Sequence, residues 1–227
     1  MTSRARVAVL PLVLASGSPR RRELLERLGL EPEVVPAEID ESPLTHEPPP
    51  LHALRVAQVK AAAALTHRPR AVVIAADTIV VLDGEILGKP HGRDEARAML
   101  RRLAGRSHLV VTAVALRFGG REASRVEQAR VTFRPISEPL LEWYVATGEA
   151  DDKAGAYAVQ GRGALFVERL EGNVQAVVGL PLAPLPDLFA AVGLRLHPRG
   201  ERLLVSRRDG SARRAPRGGS SRRCGGR

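Results

Sequence analysis

From residue 7 onward, short apolar runs alternate with amphipathic stretches. "AVLPLVLAS" leads through small residues into "PRRRELLERLGL", where Leu24, Leu25 and Leu28 recur at helical spacing. Ser18 suits the N-cap, Pro19 the first helical position and Gly29 the stop, so strand, turn and helix are predicted over residues 7–29. "EPEVVPAEIDESP" reads as a short strand running into an acidic, proline-bounded loop with Glu38, Asp40 and Glu41, and residues 50–66 regain helical spacing. "AVVIAADTIVVLDGEIL" is a buried apolar strand that turns back at Asp83 and Gly84 as a hairpin. Asp94 is predicted to cap the helix "EARAMLRRLAG", and two long β segments follow at about 107–118 and 124–134 as antiparallel neighbours. Ser137 begins a helix that Gly148 closes, "ALFVERL" gives a strand, and a last helix reaches about residue 192. Helices and strands alternate without strict βαβ periodicity. The predicted fold is α/β, with a mixed, partly antiparallel sheet flanked by helices.

Composition changes this picture mainly at the C-terminus. The 227 residues are 44% hydrophobic, enough for a substantial core. The net charge of +10 suggests nucleic acid, but residues 195–227 hold eleven arginines against Glu201 and Asp209 and so leave the body near neutral, at +1. That segment is Arg, Gly and Ser rich, with almost no apolar residues after Val205, and is predicted to be a disordered basic tail beyond a domain of residues 1–194. Cys224, the only cysteine, excludes a disulfide within the chain and fits a reducing compartment. The N-terminus imitates a secretory signal, yet Pro11 and the arginines just beyond argue against export, so a cytoplasmic location is expected. No stretch is long and apolar enough to span a membrane.

Arg20, Arg21 and Arg22 occupy the first turn of the first helix, where each exposed cation opposes the helix dipole by about 0.3–1 kcal/mol. A phosphate bound there would reverse the sign, although in a chain with 32 arginines and three lysines the same residues also read as merely solvated. Asp77 and Thr78 end a very apolar run, as a structural cap or as a metal ligand or base, and Asp40 and Glu41 add carboxylates. "GEILGKP" is one residue short of a Walker loop and has Pro90 where the hydroxyl residue belongs, but Lys89 between Gly88 and Pro90 is still a well-held cation. "DDKAGAYAVQGRG" combines Lys153 with Gly155, Gly161 and Gly163, and the Gln160 amide can read a base edge. The six histidines form no tight ligand pair, and no G-x-S-x-G or G-x-G-x-x-G is present. That inventory favours phosphate-ester chemistry with a divalent metal.

Four blocks in order, "LASGSPRRRELL", "AADTIVVLDGEILGKP", "AGRSHLVVTAVAL" and "DKAGAYAVQGRGALFVERLEG...VVGLPL", resemble the Maf family of nucleoside triphosphate pyrophosphatases across about residues 12–192. The resemblance implies a Maf/ITPase-like architecture and hydrolysis of a nucleoside triphosphate to monophosphate and pyrophosphate with Mg2+ or Mn2+. It places Ser16, Arg21, Lys60 and Lys89 in the phosphate cleft, with both lysines stabilising the leaving group. Asp40 and Asp77 become its acidic residues and Asp77 the proton acceptor; the metal is then expected on Asp77 and Asp40, with Glu41 the alternative to Asp40. Arg20, Thr78 and Gln160 match the branch acting on dTTP and UTP, whereas the 7-methyl-GTP branch typically has tryptophan at the first of these positions. Val174 departs from the tyrosine often found near there. The resemblance also allows a homodimer. The alternatives are the 7-methyl-GTP substrate class, and a non-enzymatic nucleic-acid or cell-division interaction protein whose tail binds nucleic acid weakly.

Overall fold

The computed structural model describes residues 8–208. Its centre is β3 (Val72–Leu82), whose side chains are almost all buried because both faces of the strand are covered. β1 (Leu12–Leu14) lies parallel to β3, and β2 (Glu33–Val34) extends that parallel edge. On the other side β5 (Ser107–Phe118), β6 (Arg121–Phe133) and β7 (Val167–Gly172) follow, each antiparallel to its neighbour. β4 (Glu85–Leu87) folds back on β3 through Asp83 and Gly84, both at positive φ, as a two-residue hairpin requires. The result is a seven-stranded mixed sheet in the order β2-β1-β3-β5-β6-β7, with β4 beside β3.

The two faces of β3 are packed differently. Val73, Ala75, Ile79 and Val81 meet α2 (Pro49–His67), whose buried stripe of Ala53, Ala57, Ala61 and Ala64 lets the helix lie close to the sheet. The opposite face carries two separate clusters. α1 (Pro19–Arg27) packs with Leu14, Ile74 and Val114, whereas α3 (Arg93–Leu103) and α4 (Glu138–Ala146) pack with Val80, Val110 and Val131. α5 (Val174–Val178) and α6 (Leu185–Ala191) complete the first cluster through Val178, Leu185 and Phe189.

β5 occupies one edge of β3 from Val73 to Val81. The other edge is shared: β1 covers Leu12↔Val72 to Leu14↔Ile74, and β4 covers Val80 to Leu82. Between them, residues 75–79 have no strand beside them, and the sheet is open where a parallel neighbour gives way to an antiparallel one. A change of strand direction of this kind is where ligand crevices form in α/β sheets.

Several sequence expectations are corrected. Gly92, not Asp94, occupies the N-cap of α3; Asp94 sits in the first turn, paired with Arg97 at 2.7 Å, still well placed for the helix dipole. Ala164–Phe166 belong to a 3-10 turn over Arg162–Phe166, so the predicted strand begins only at Val167. β6 starts at Arg121, three residues early. The tail boundary moves furthest: β8 (Leu194–Arg199) and β9 (Arg202–Arg207) form an antiparallel hairpin in what was read as disordered. Leu194 and Val205 are buried in the α1 cluster, Leu10 N donates to Val205 O and Leu203 N donates to Gly29 O. Gly29 has φ +73°, and a Cβ there would lie 2.2 Å from Glu201 O, so the glycine that ends α1 also admits the hairpin. The expectation of disorder for residues 209–227, with Cys224, and the reading of the first seven residues lie outside the described region.

Candidate active site

The gap beside residues 75–79 opens into a cleft of about 830 Å³, within the usual size range of small-ligand sites. Because successive strand residues face opposite ways, Asp77 and Thr78 serve its two halves. Asp77 points to the α2 side, where Lys60 Nζ lies 2.9 Å from Asp77 Oδ1 and 2.9 Å from Glu41 Oε1. Asp77 and Lys60 are both buried, whereas Glu41 is half exposed at the cleft wall. One ammonium thus holds two carboxylates from separate segments.

Thr78 points to the α1 side and meets Arg21. The guanidinium donates from Nη2 to Thr78 Oγ1 at 3.1 Å, from Nη1 to Ser16 Oγ at 2.9 Å and from Nε to Gly179 O at 2.8 Å. Thr78 Oγ1 lies 2.9 Å from Thr112 Oγ1, and Thr112 donates to Ala176 O at 2.7 Å. All of Arg21's hydrogen-bond partners are neutral, and it forms no ion pair among the described residues. Burial pulls its pKa down, with Asp77 across the cleft opposing that shift. A partly buried cation held by neutral acceptors keeps its charge available for an anion. Ser18 is the N-cap residue of α1 but makes no side-chain cap; its N–H donates instead to Ser16 Oγ at 3.2 Å, which fixes the turn before the arginines.

The remaining wall comes from the β4–α3 loop and the segment after α4. Lys89 is exposed on the first and forms no ion pair among the described residues, while Gly155 N donates to Gly88 O at 3.0 Å and ties the two segments together. Lys153 pairs with Asp152 at the rim. Arg20 lines the same rim, and its charge, together with that of Lys153, helps to hold the Asp152 carboxyl below its ordinary range against the opposing effect of burial. Five cations (Arg20, Arg21, Lys60, Lys89, Lys153) therefore face three carboxylates (Glu41, Asp77, Asp152) around the cleft. The balance is positive, as a polyphosphate requires.

The comparisons with known proteins agree. A sequence profile of the family described as Maf-like protein matches residues 11–192. The chain belongs to the Maf family. Among its relatives, the dTTP/UTP pyrophosphatase of Anaeromyxobacter dehalogenans is 51% identical over 189 residues, 82% of this chain and 95% of that one. Those of Myxococcus xanthus and Bacillus velezensis are 49% and 47% identical over 185 and 172 residues, covering 82% and 76% of this chain and 94% and 91% of theirs. Among solved structures, a HAM1 protein from Coxiella burnetii aligns at 18% identity with a TM-score of 0.42, covering 69% of this chain and 91% of that one.

In this Maf protein the cleft collects most of the residues singled out from sequence: Ser16, Arg20, Arg21, Lys60, Asp77, Thr78 and Lys89 all line it. Two do not. Asp40 is exposed and accepts a hydrogen bond from Ser42 N at 2.9 Å, so it is Glu41, one residue on, that turns inward to Lys60. Gln160 is exposed beyond Val159, which does line the wall. Val174 is exposed at the start of α5 and away from the lining.

Sequence reading missed the groups that hold these loops. Glu47 accepts from Arg55 Nε and Nη2, both at 2.7 Å, and from Leu44 N at 3.1 Å, and it lies 3.2 Å from His52 Nδ1. Arg55 also donates to Ser42 O at 2.9 Å and so staples the acidic loop to α2 beside Glu41. Arg55 is the main reason the Glu47 carboxyl falls to about 2. Tyr157, on the cleft floor, lies 2.8 Å from the buried His108 Nε2, and burial lowers His108 to about 4. No spacing rule pairs these residues, because Glu47 reaches from a loop onto the helix that follows it and Tyr157 meets His108 from 49 residues away.

Proposed function

We propose that this protein hydrolyses pyrimidine nucleoside triphosphates, dTTP and UTP foremost, to the monophosphate and pyrophosphate. The observation that carries the reading is Arg21: a partly buried guanidinium bound only to neutral partners, across an open cleft from two carboxylates held by Lys60. The relatives that match most of this chain and bear the name dTTP/UTP pyrophosphatase support the same substrate class.

In this reading a water attacks the α phosphorus, the bond to the bridging oxygen breaks, and pyrophosphate leaves. Asp77 takes the proton of the attacking water, and Arg21, Lys60 and Lys89 stabilise the charge that develops on the leaving group. Among the described residues no group of three or more His, Cys, Asp or Glu is placed to hold a metal ion alone. Asp77 and Glu41 are nevertheless a suitable donor pair for Mg2+ or Mn2+, since Mg2+ binds through one or two carboxylates together with substrate phosphates. Asp40 is the weaker candidate of the acidic loop, because its carboxylate is turned outward. Such an ion supplies charge neutralisation on the triphosphate. Arg20 on the cleft rim, and Gln160 next to the lining residue Val159, would serve base recognition, while Thr78 acts by holding Arg21. The reading places the enzyme in the cytoplasm, and among the described residues no helix is long and apolar enough to cross a membrane.

Pyrophosphate release from dTTP, UTP, CTP, GTP and 7-methyl-GTP, with Mg2+ and with Mn2+, tests the reading. Preference for dTTP and UTP is expected. Preference for 7-methyl-GTP would reassign the base, and no release from any of them would overturn the function.

A further inference from the structure

The segment from Tyr157 to Gly163 leads away from the cleft and must satisfy its backbone groups without a strand partner. One side-chain pair from α4 and the turn after it does most of this. Glu149 Oε1 accepts from Gly163 N at 3.0 Å and from the Tyr144 hydroxyl at 3.1 Å, and Oε2 accepts from Arg162 N at 3.0 Å. The Tyr144 hydroxyl in turn accepts from Ala158 N at 3.1 Å. Gly161 N donates back to Ala158 O at 3.2 Å, closing a tight turn with Val159 and Gln160 at its crest.

The glycines of this loop are explained by the close approach of the carboxylate to Gly161 and of Ala158 and Tyr144 to Gly163. Gly161 has φ −118°, which any residue adopts, yet a Cβ on it would lie 2.5 Å from both carboxylate oxygens of Glu149. A Cβ on Gly163 would lie 2.8 Å from Ala158 O and 3.1 Å from the Tyr144 hydroxyl. Tyr144 is fully buried in the core, so the cage is anchored to the body of the protein. Neither Glu149 nor Tyr144 lines the cleft, and Gln160 itself makes no hydrogen bond among the described residues. The cage therefore fixes the backbone on both sides of Gln160 and leaves its amide free. Burial opposes ionisation of Glu149, but the N–H groups of Gly163 and Arg162 and the Tyr144 hydroxyl hold its pKa below the ordinary value, so the cage keeps its charge at neutral pH.

We propose that Glu149, together with Tyr144, is a positioning pair that fixes Gln160 next to Val159 of the cleft wall and so governs which base the enzyme accepts. The proposal deepens the functional reading above and rests on it. Glu149→Gln keeps the size of the side chain but turns an amide NH2 towards a backbone N–H that needs an acceptor. Steady-state kcat/KM would be measured for UTP and for GTP on the full-length wild type, Glu149→Gln, Gln160→Ala and the double variant. The UTP:GTP ratio is expected to fall by at least about tenfold in Glu149→Gln, with kcat on UTP within about threefold of wild type. The double variant is expected to discriminate no worse than Gln160→Ala alone, because both changes act through one amide. An unchanged ratio, an equal loss on both nucleotides, or effects of the two substitutions that multiply would each overturn the proposal. Should Glu149→Gln fail to fold, Tyr144→Phe removes the acceptor for Ala158 N and the hydroxyl donor to Glu149 while keeping the ring, and is read by the same ratios. A wild type that releases no pyrophosphate from any nucleotide refutes the functional reading, and the proposal with it; an active wild type whose variants keep its ratio refutes the cage alone.

Discussion

Replacing Lys60 by methionine tests the central electrostatic unit of the cleft. The change removes the one ammonium that lies 2.9 Å from both Asp77 and Glu41. Glu41 is half exposed and finds water, but Asp77 is only 6% exposed and is left as a buried charge beside another carboxylate. Breaking a buried pair in this way costs about 3–5 kcal/mol. Proton uptake sets a ceiling on that cost: neutralising an ordinary aspartate at pH 7 takes about 4 kcal/mol, from about 3 pH units at 1.36 kcal/mol each. Asp77→Asn is a smaller insult, about 1–2 kcal/mol, because Lys60 keeps Glu41 and the amide oxygen still accepts a hydrogen bond. The expected order is therefore Lys60→Met worse than Asp77→Asn, with the double variant no worse than Lys60→Met alone. Urea denaturation without nucleotide, at pH 7 and again near pH 5, reads both the order and its origin. The Lys60→Met deficit shrinks as the pH falls, because the stranded carboxyl then takes a proton at lower cost. Equal costs for the two single variants, strict additivity, or a deficit independent of pH would refute the reasoning.

Other outcomes follow from the same geometry. Asp77→Asn should lower kcat for pyrophosphate release by about 10²–10⁴-fold while leaving a cooperative melt, and near-full activity would remove Asp77 as the proton acceptor. Arg21→Met should cost little stability, since the lost hydrogen bonds are offset by removal of a desolvated cation, but should lower kcat/KM by about 10²–10³-fold in the same assay. His108 is held down to about 4, so the folded state binds fewer protons than the unfolded chain between that value and 6.5. Its contribution of about 3 kcal/mol is complete above pH 6.5 and is lost as the pH falls towards 4. His108→Phe should flatten thermal melts across that window. A chain ending at Gly193 loses the buried Leu194 and Val205 and should be at least about 3 kcal/mol less stable by denaturant titration than one ending at Arg208.

The sequence alone determined the element types and the chemical inventory. The alanine stripe of α2, the unbroken apolar run of β3, the Asp83-Gly84 turn and the proline-led start of α1 are local patterns, and local patterns fix local structure. The ordered blocks around Ser16, Asp77, Lys89 and Gln160 likewise carried the family. What the tertiary structure decided is where those residues meet. Asp77 and Thr78 are adjacent in sequence but face opposite sides of β3, and only the gap between β1 and β4 lets both reach one cleft. Asp40 and Glu41 could not be ranked from sequence, because which of them turns inward depends on Arg55 holding Ser42 O and on Lys60 waiting across the loop. Glu149 stood in no motif at all: its role arises from contacts thirteen and fourteen residues away, where Gly161 makes room for its carboxylate. The C-terminal hairpin shows the same limit, since its four leucines and valines over residues 195–207 are matched by four arginines and give composition no apolar excess to read. Those apolar side chains become a folding signal only once α1 and Gly29 offer a surface on which to bury them.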